Sequence, residues 1–286
     1  MAPQYDNIGS QYSLTKLLPV VRLETATLHA ILSPHLPCAR ALDLASGTGH
    51  ISRSLASWGV SSVVGVDVSP AMVAVAQAES SALLRTRETG TGLEFTVGDA
   101  VTLGKLSPED KGFEIVVAGW LLNYAANEAE LVGMFKTVAE NLNGRGEGEG
   151  KGGVFVAITL PPRKRAEFDA FAASMNDPQL DKRRRKCFGV SYDYDTKVDD
   201  DGWEANVAML KEDGEEKRFV MKGYHFPTEV IERAARKGGL HGKLEWREVK
   251  MEEEMREDAI RDHGEEFWNE YFEIGPHFGV LVVEGS

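Results

Sequence analysis

The chain has few cysteines, and the two that it has lie far apart. Cys38 and Cys187 are the only cysteines in 286 residues. Their spacing matches no metal-binding pattern and no disulfide framework, and it is typical of a protein in a reducing compartment. We therefore expect no structural metal site.

Long apolar segments are missing as well. No run approaches the ~18–20 apolar residues that span a bilayer. The first residues, MAPQYDNIGSQYS, lack the basic stretch and apolar stretch of a secretory signal. The sequence thus predicts a cytoplasmic protein with no membrane partner.

Positive charge is the third scarcity. Lysine and arginine number 32 against 45 aspartates and glutamates, so the formal net charge is −13 at pH 7. Such a surface repels phosphate backbones and anionic membranes, and we expect no nucleic-acid partner. One basic cluster, KRRRK at 182–186, departs from this trend. It fits either a solvated helix face or loop, or a local site for an acidic group of a substrate.

Up to residue 161 the chain alternates between apolar segments and helical ones. Its length suits one large domain or one domain with an elaboration. Ser69 and Asn127 stand where they would cap two of the helices. The predicted strands are CARALDLAS, SSVVGVDVS, LEFTVGDA, FEIVVAGW and GGVFVAITL. Strands that are apolar throughout and separated by helices predict a parallel sheet covered on both faces.

After residue 161 the pattern changes. A helical segment, PRKRAEFDAFAASM, precedes three strand-like ones, GVSYDYDTKV, EANVAMLKE and KRFVMKGYHF. They predict an inserted lid at about 162–225 that contains an antiparallel meander. A helix capped by Thr228, a strand, a long charged helix and the apolar strand HFGVLVVEG complete the chain.

The segment ALDLASGTGH at 41–50 predicts a ligand site. Open α/β sheets bind ligands beyond the carboxyl ends of their strands, and Gly47 and Gly49 follow the first strand. A nicotinamide fingerprint calls for glycine or alanine where the chain has Ser52, and it leaves Asp43 unexplained. An NAD-dependent oxidoreductase is nevertheless kept as one hypothesis.

Two more acids follow the next two strands. Asp67 lies 20 residues after Gly47, where an acid accepts hydrogen bonds from ribose hydroxyls. Asp99 follows the third strand, where a carboxylate could accept the amine hydrogen of an adenine. Alternatively, Asp67 could cap the next helix, and Asp99 could be a turn residue.

Taken together, the segments DLASGTGH, VVGVDVSPAM, EFTVGDA and FEIVVAGWLLNYA resemble the class I S-adenosylmethionine-dependent methyltransferases over residues 39–126. YDNIGSQY and FWNEYFEIGPHFGVLVV are similar to small-molecule members of that superfamily. The resemblance implies a single domain at 1–286, of the α/β class. It also implies a Rossmann-like doubly wound seven-stranded sheet with an antiparallel last strand, and we expect an N-terminal helical flap at 1–35. His50 departs from the glycine or aromatic residue that is commoner in the loop.

The resemblance implies that the chain binds S-adenosylmethionine and yields S-adenosylhomocysteine. Asp43 and the loop at 45–49 would border the methionine part, Asp67 would hold the ribose, and Asp99 would bind the adenine amine. The further implied cofactor contacts are Tyr12 in the flap, Ala45, Ser46, Gly47 and Gly49 in the loop, Val68 and Met72 against the adenosine, Ala100 at a ring nitrogen, and Ala118 and Gly119 under the sulfonium.

Methyl transfer is an in-line displacement, in which a protein mainly aligns the reactants and excludes water. An amine or thiolate acceptor needs no more, whereas a hydroxyl needs a base. The candidate catalytic residues are His225, His277 and Tyr124. The candidate substrate contacts are Tyr5, Trp120, Asn123, Tyr192 and Tyr194, of which the tyrosines and Trp120 could instead be core residues.

A lid over the site and an acidic surface favour a small organic acceptor, methylated at oxygen or nitrogen. The alternative hypothesis is a protein that binds S-adenosylmethionine without transferring its methyl group, as a regulatory subunit or degenerate relative. The superfamily has no single obligatory catalytic side chain, so both hypotheses stay open, as does the oligomeric state.

Overall fold

The computed structural model describes residues 12, 16, 18–84, 92–106, 112–144, 152–199, 202–211, 216–251 and 253–284. The strands are β1 (Arg40–Leu44), β2 (Ser62–Asp67), β3 (Gly92–Val97), β4 (Ile115–Gly119), β5 (Val154–Thr159), β6 (Val190–Val198), β7 (Gly202–Leu210), β8 (Lys217–His225), β9 (Leu244–Arg247) and β10 (Gly279–Glu284). The helices are α1 (Pro19–Leu32), α2 (His50–Ser57), α3 (Pro70–Leu84), α4 (Glu128–Asn141), α5 (Arg165–Met175), α6 (Pro178–Phe188), α7 (Thr228–Lys237), α8 (Glu253–His263) and α9 (Glu265–Ile274).

Seven strands form the main sheet, in the order β3-β2-β1-β4-β5-β10-β9. The first five are parallel, and β10 is antiparallel to both of its neighbours. The predicted Rossmann-like sheet with an antiparallel last strand is therefore confirmed. The strand order reverses between β1 and β4, where Leu44 pairs with Ala118. That reversal is the position at which open α/β sheets bind their ligands.

Alternate residues of β4 face opposite sides of the sheet, as the two-residue period of a strand requires. Ile115 and Val117 pack in a core that includes side chains of α1 and α9. Val116 and Ala118 pack in a second core with side chains of α4 and α7. The expected helical cover on both faces is confirmed.

Strands β6, β7 and β8 form a separate antiparallel sheet, which we call the meander. Tyr192, Tyr194 and Ala205 of the meander are buried in the same core as α1. Asp193, between the two tyrosines, is exposed. The alternation of tyrosine and aspartate on β6 therefore separates a buried face from a solvent face.

Two of the three predicted helix caps are confirmed. Oδ1 of Asn127 accepts the backbone N–H of Glu130 over 2.9 Å, and Oγ of Ser69 accepts that of Met72 over 3.3 Å. The prediction for Thr228 is wrong, because Thr228 is itself the first residue of α7 and its hydroxyl donates to the carbonyl of Arg163, between β5 and α5, over 2.9 Å. The predicted long charged helix is in fact two, α8 and α9, with Gly264 between them at φ +81°.

The basic cluster 182–186 lies on α6, a helix that the sequence did not predict separately. Lys186 Nζ pairs with Glu270 over 2.6 Å, and Arg183 pairs with Glu273 of the same helix over 3.0 Å. Arg184 is buried and donates to the carbonyl of Ser174 over 3.2 Å. The cluster therefore joins α6 to α9 and α5 within the protein. Among the described residues, no helix is long and apolar enough to cross a membrane.

Candidate functional site

A cavity of about 530 Å³ opens where the strand order reverses. We call it the strand-end crevice. The predicted contacts that line it are Tyr12, Ala45, Gly47, Asp67, Val68, Met72, Asp99, Ala100 and Gly119. Residues from the ends of β1, β2, β3 and β4 thus meet in one place, as their positions in the sequence predicted.

The loop after β1 has a left-handed backbone at three residues. The φ angles are +60° at Ala45, +53° at Gly47 and +81° at Gly49. A Cβ at Gly49 would lie 2.7 Å from Cζ of Phe95, so this position requires glycine for space as well as for conformation. Ala45 takes the same conformation without being glycine, which is a strained state typical of functional turns. The sequence carried no signal for it.

Asp67 connects this loop to the next helix. Its Oδ2 accepts the backbone N–H of Gly47 over 2.8 Å, and its Oδ1 accepts that of Ser69 over 2.9 Å. Asp67 also lines the crevice, where a carboxylate can accept hydroxyl hydrogens of a ligand. The interpretation of Asp67 as a helix-capping residue and its predicted ribose contact are compatible.

Asp43 lies beneath the loop and not on the lining of the crevice. Its Oδ2 accepts the hydroxyl hydrogen of Ser52, and Oδ1 has no hydrogen-bond partner among the described residues. Burial raises the pKa of Asp43 to about 7. Ser52, the residue that fits a nicotinamide fingerprint poorly, is thus a buried donor to Asp43. The predicted contacts Gly49 and Ala118 also lie outside the lining.

The far end of the crevice combines an acid with apolar side chains. Oδ1 of Asp99 accepts the backbone N–H of Val101 over 2.9 Å, so Asp99 also stabilises its own turn. Val68 is 46% exposed, and Met72 beside it is buried. An exposed valine on the wall of a crevice offers an apolar surface to a ligand.

A second cavity of about 90 Å³, which we call the inner chamber, lies beside the crevice. Tyr12, Trp120 and Tyr124 line both cavities. The other predicted residues on its wall are Asn123, Tyr192, His225 and His277. Tyr194 is not on the wall. Its hydroxyl is hydrogen-bonded to Nδ1 of His225, which is on the wall. Tyr5 lies outside the described residues.

Burial keeps the two histidines and the tyrosines Tyr124 and Tyr192 of the inner chamber uncharged at neutral pH. It lowers the pKa of His225 and of His277 to about 3, with further lowering by His277 on the first and by Arg184 on the second. It also raises the pKa of Tyr124 and Tyr192 well above the ordinary tyrosine value. Both histidines are therefore neutral hydrogen-bonding groups and weak bases.

A small side pocket adjoins both cavities and contains the predicted contact Ser46. His50, the residue that departs from the family pattern, lies here with Nε2 at 3.0 Å from Oγ1 of Thr25. Burial, with the nearby charge of Lys16, lowers the pKa of His50 to about 4. Within the described residues, no group of three or more His, Cys, Asp or Glu could hold a metal ion.

Glu24 and Lys16 line the side pocket and the inner chamber but were not predicted. Glu24 had a signal in the sequence, since it falls among the buried positions Val20, Val21, Leu23 and Leu28 of α1. A carboxylate within such an apolar stripe calls for a partner or a function. Burial raises the pKa of Glu24 to about 7.

Residues 41–146 match the model of a family described as a methyltransferase domain. These are the residues that carry β1 to β4, the glycine loop and the crevice. The match thus places a methyltransferase-type domain on less than half of the chain, at the residues that form the crevice. Comparison with curated proteins gives no sequence match.

Solved structures share the fold of this chain over nearly its whole length. A Pyrococcus horikoshii protein is 19% identical, with a TM-score of 0.57 over 95% of each chain. An S-adenosylmethionine-dependent methyltransferase from Clostridium acetobutylicum is 17% identical, with a TM-score of 0.54 over 92% of this chain and 90% of that one. The magnesium protoporphyrin IX methyltransferase of Synechocystis, solved with bound S-adenosylhomocysteine, is 14% identical. Its TM-score is 0.50, over 93% of this chain and 84% of that one.

S-adenosylmethionine is the cofactor that the resemblance in the sequence implies, and the residues present fit it. Oγ of Ser46 and Oγ1 of Thr48 are buried, with no hydrogen-bond partner among the described residues. The space above Gly47 is open up to the Tyr12 ring, 3.6 Å from a Cβ placed there. Ser46 thus offers an unpartnered oxygen in the side pocket, and the adjoining crevice ends at the apolar Val68. That arrangement suits a ligand with a methionine group at one end and an adenosine at the other.

Proposed function

We propose that this methyltransferase transfers a methyl group from S-adenosylmethionine to an oxygen or nitrogen atom of a small organic molecule. The transfer is an in-line displacement, with positioning of the reactants as the main catalytic effect. Such positioning supplies about 7–11 kcal/mol in well-oriented systems.

The observation that carries this proposal is the inner chamber. Its volume of about 90 Å³ is a small fraction of the roughly 530 Å³ of the crevice. Its wall combines apolar side chains such as Val21, Phe188 and Met209 with the polar groups of Asn123 and His225. Mostly apolar cavities with a few polar groups bind small molecules.

S-adenosylmethionine supplies a methyl group bound to a positively charged sulfur. We propose that Asp67 and the glycine loop hold its ribose and methionine parts in the crevice, and that Asp99 and Ala100 bind its adenine. Gly119 and Trp120 border both the crevice and the side pocket, a position that favours placing the sulfonium there. Tyr12 lines all three cavities and would exclude water from the reacting atoms.

We propose that residues 162–225 act as a lid. Strand β8 supports this role, since Met221, Gly223 and His225 form part of the chamber wall. A cover of this kind, with a net charge of −13 on the chain, disfavours a nucleic-acid substrate. Cys38 and Cys187 are unpaired in the structure, which fits our proposal of a cytoplasmic location.

The test is calorimetric titration with S-adenosylhomocysteine, with NADH as the control ligand. We expect micromolar binding of the first and none of the second. Screening of small hydroxyl and amine compounds with S-adenosylmethionine should then find an acceptor that gains one methyl mass. Methylation of a macromolecule but of no small compound would reject the small-molecule proposal. Cofactor binding without transfer to any acceptor would favour the regulatory alternative.

A further inference from the structure

Glu24 lies in the wall between the inner chamber and the side pocket. Its Oε1 accepts the indole N–H of Trp120 over 3.1 Å. Among the described residues, Glu24 makes no other side-chain hydrogen bond. Its Oε2 therefore has no partner among them. One oxygen of the carboxylate is thus held in place while the other can receive a ligand hydrogen.

Trp120 fixes this carboxylate close to the end of β4. It directly follows Gly119, and its backbone is left-handed, with φ +64°. The backbone N–H of Trp120 donates to the carbonyl of Ile158 over 2.8 Å. The centroid of its ring lies 5.3 Å from that of the His277 ring. Tertiary contacts therefore hold a strained conformation that directs the indole toward Glu24.

The three catalytic candidates from the sequence are poor proton acceptors at neutral pH. Burial lowers the pKa of His225 and His277 to about 3, so their imidazoles are weak bases. Nδ1 of His225 is also engaged by Tyr194. Burial raises the pKa of Tyr124, so its hydroxyl keeps its proton. A base is most effective when its pKa lies near the working pH, and burial raises that of Glu24 to about 7.

We propose that Glu24 is the catalytic base of the proposed reaction, with Trp120 as its positioning residue. The assignment rests on the proposed transfer to a small acceptor and names the chemistry of that acceptor. It carries a hydroxyl or a neutral amine whose hydrogen binds to Oε2 of Glu24. The nucleophilic oxygen or nitrogen forms a bond to the methyl carbon, and the carbon–sulfur bond breaks with its electron pair going to sulfur. The proton of the acceptor passes to Glu24, which becomes a neutral carboxylic acid.

Glu24 has several titratable neighbours. Lys16 is close enough to favour the charged carboxylate. Tyr192 and Tyr271 face it from β6 and α9, and His50 and His277 line the adjoining cavities. These two tyrosines and two histidines are uncharged at neutral pH. The histidines also lie across a cavity from Glu24. Lys16 is thus the main charged partner, and a positive charge there keeps Glu24 able to ionise within an apolar setting.

The decisive variant is Glu24→Gln, because its amide oxygen can still accept the indole N–H of Trp120 but cannot take a proton. Glu167→Gln, at an exposed position of α5, is the matched control. Calorimetry should give S-adenosylhomocysteine affinities for both variants within about twofold of the wild type. Infrared difference spectra between about pH 5 and pH 9 should show protonated-carboxyl bands that the wild type loses as the pH rises, and Glu24→Gln should lack the share due to Glu24 while it keeps that of Asp43.

The acceptor screen is run in parallel on the wild type and both variants, with phenols and with aryl and alkyl amines as probes. We expect kcat to fall about 100-fold or more in Glu24→Gln for acceptors that must lose a proton. An acceptor that is already ionised, such as para-nitrophenolate, should lose less than about tenfold. The wild-type kcat should decline below about pH 7, and this decline should be absent in Glu24→Gln. In Trp120→Phe it should move to higher pH, since the lost hydrogen bond had favoured the carboxylate.

An unchanged rate and an unchanged pH profile in Glu24→Gln would overturn the assignment of the base and leave the methyltransferase proposal intact. An infrared spectrum in which Glu24→Gln keeps the full carboxyl band would do the same. If the wild type binds S-adenosylhomocysteine but methylates no small acceptor, the proposed function fails first and the role of Glu24 fails with it.

Discussion

Oδ2 of Asp67 accepts the backbone N–H of Gly47 over 2.8 Å, so the ends of β1 and β2 are connected through one carboxylate. Its other oxygen bonds to the N–H of Ser69 at the start of α3. The same side chain thus holds the glycine loop in shape and faces the crevice.

We predict that Asp67→Ala weakens S-adenosylhomocysteine binding about tenfold to a hundredfold. The reason is the loss of charge-assisted hydrogen bonds from the ribose hydroxyls to Asp67, which are worth about 1.5–3 kcal/mol. Isothermal titration calorimetry measures the change. Asp193→Ala, at an exposed position of the meander, should bind as the wild type does. Equal affinities in the wild type and Asp67→Ala would show that the ribose site is elsewhere.

Gly49→Ala should lower the free energy of unfolding by at least about 1–2 kcal/mol, the cost of a left-handed backbone for a residue with a Cβ. Crowding adds to this cost, because the new Cβ would lie 2.7 Å from Phe95, which packs against Val73 and Ala76. Urea unfolding gives the value. Gly144→Ala is the control, since a Cβ there meets nothing within 4 Å and its change should stay within about 0.5 kcal/mol.

His277→Asn should flatten the dependence of stability on pH in the acid range. Burial lowers the pKa of His277 to about 3, whereas an unfolded histidine titrates near 6.5. Between these values the unfolded chain binds a proton that the folded chain does not, so this residue removes stability as the pH falls. The slope lost in the variant is up to about 1.4 kcal/mol per pH unit.

The measurement for His277 is the difference in unfolding free energy between wild type and variant from about pH 8 to pH 4. Asp43 and Glu24 act in the opposite sense, because their raised pKa values stabilise the fold at low pH, and subtraction removes their effect. The exposed His241 provides a matched His→Asn control. Parallel stability curves for wild type and His277→Asn would contradict the prediction.

Arg184→Ala should destabilise the fold by about 1–3 kcal/mol, since the buried carbonyl of Met175 loses its side-chain donor and that of Ser174 loses one of its donors. Nη1 of Arg184 donates to the carbonyls of Ser174 and Met175 over 3.2 and 3.4 Å. Lys182→Ala, on the exposed side of the same helix, should cost less than about 0.5 kcal/mol. Urea unfolding of both variants decides whether the cluster is structural, and equal losses would argue against it.

The parts of the fold that the sequence predicted are those with local patterns. The apolar strands and the glycines at 47 and 49 located the sheet and the crevice, because strand ends in a parallel sheet meet at one edge. The caps at Ser69 and Asn127 were predictable for a similar reason, as each bond spans three residues.

The parts that escaped prediction depend on contacts between distant segments. Glu24 and Trp120 are 96 residues apart, and nothing local shows that they bond. Helix α6 was not predicted because its run of charged residues gives no apolar period. The role of these charges depends on Glu270 of α9, which pairs with Lys186 in the fold. The left-handed conformations at Ala45 and Trp120 have no signature in composition, since tertiary packing imposes them.

Strand β8 supplies walls to both main cavities. Met221, Gly223 and His225 border the inner chamber, Tyr224 borders the crevice, and Lys222 borders both. A displacement of this strand therefore reshapes both cavities at once, and through it the two ligands can influence each other's binding. Any factor by which the acceptor changes the affinity for S-adenosylmethionine must equal the factor by which S-adenosylmethionine changes the affinity for the acceptor. The meander is therefore one route by which cofactor and acceptor can be coupled, beside Trp120 and Tyr124 just after the end of β4, which also border both cavities.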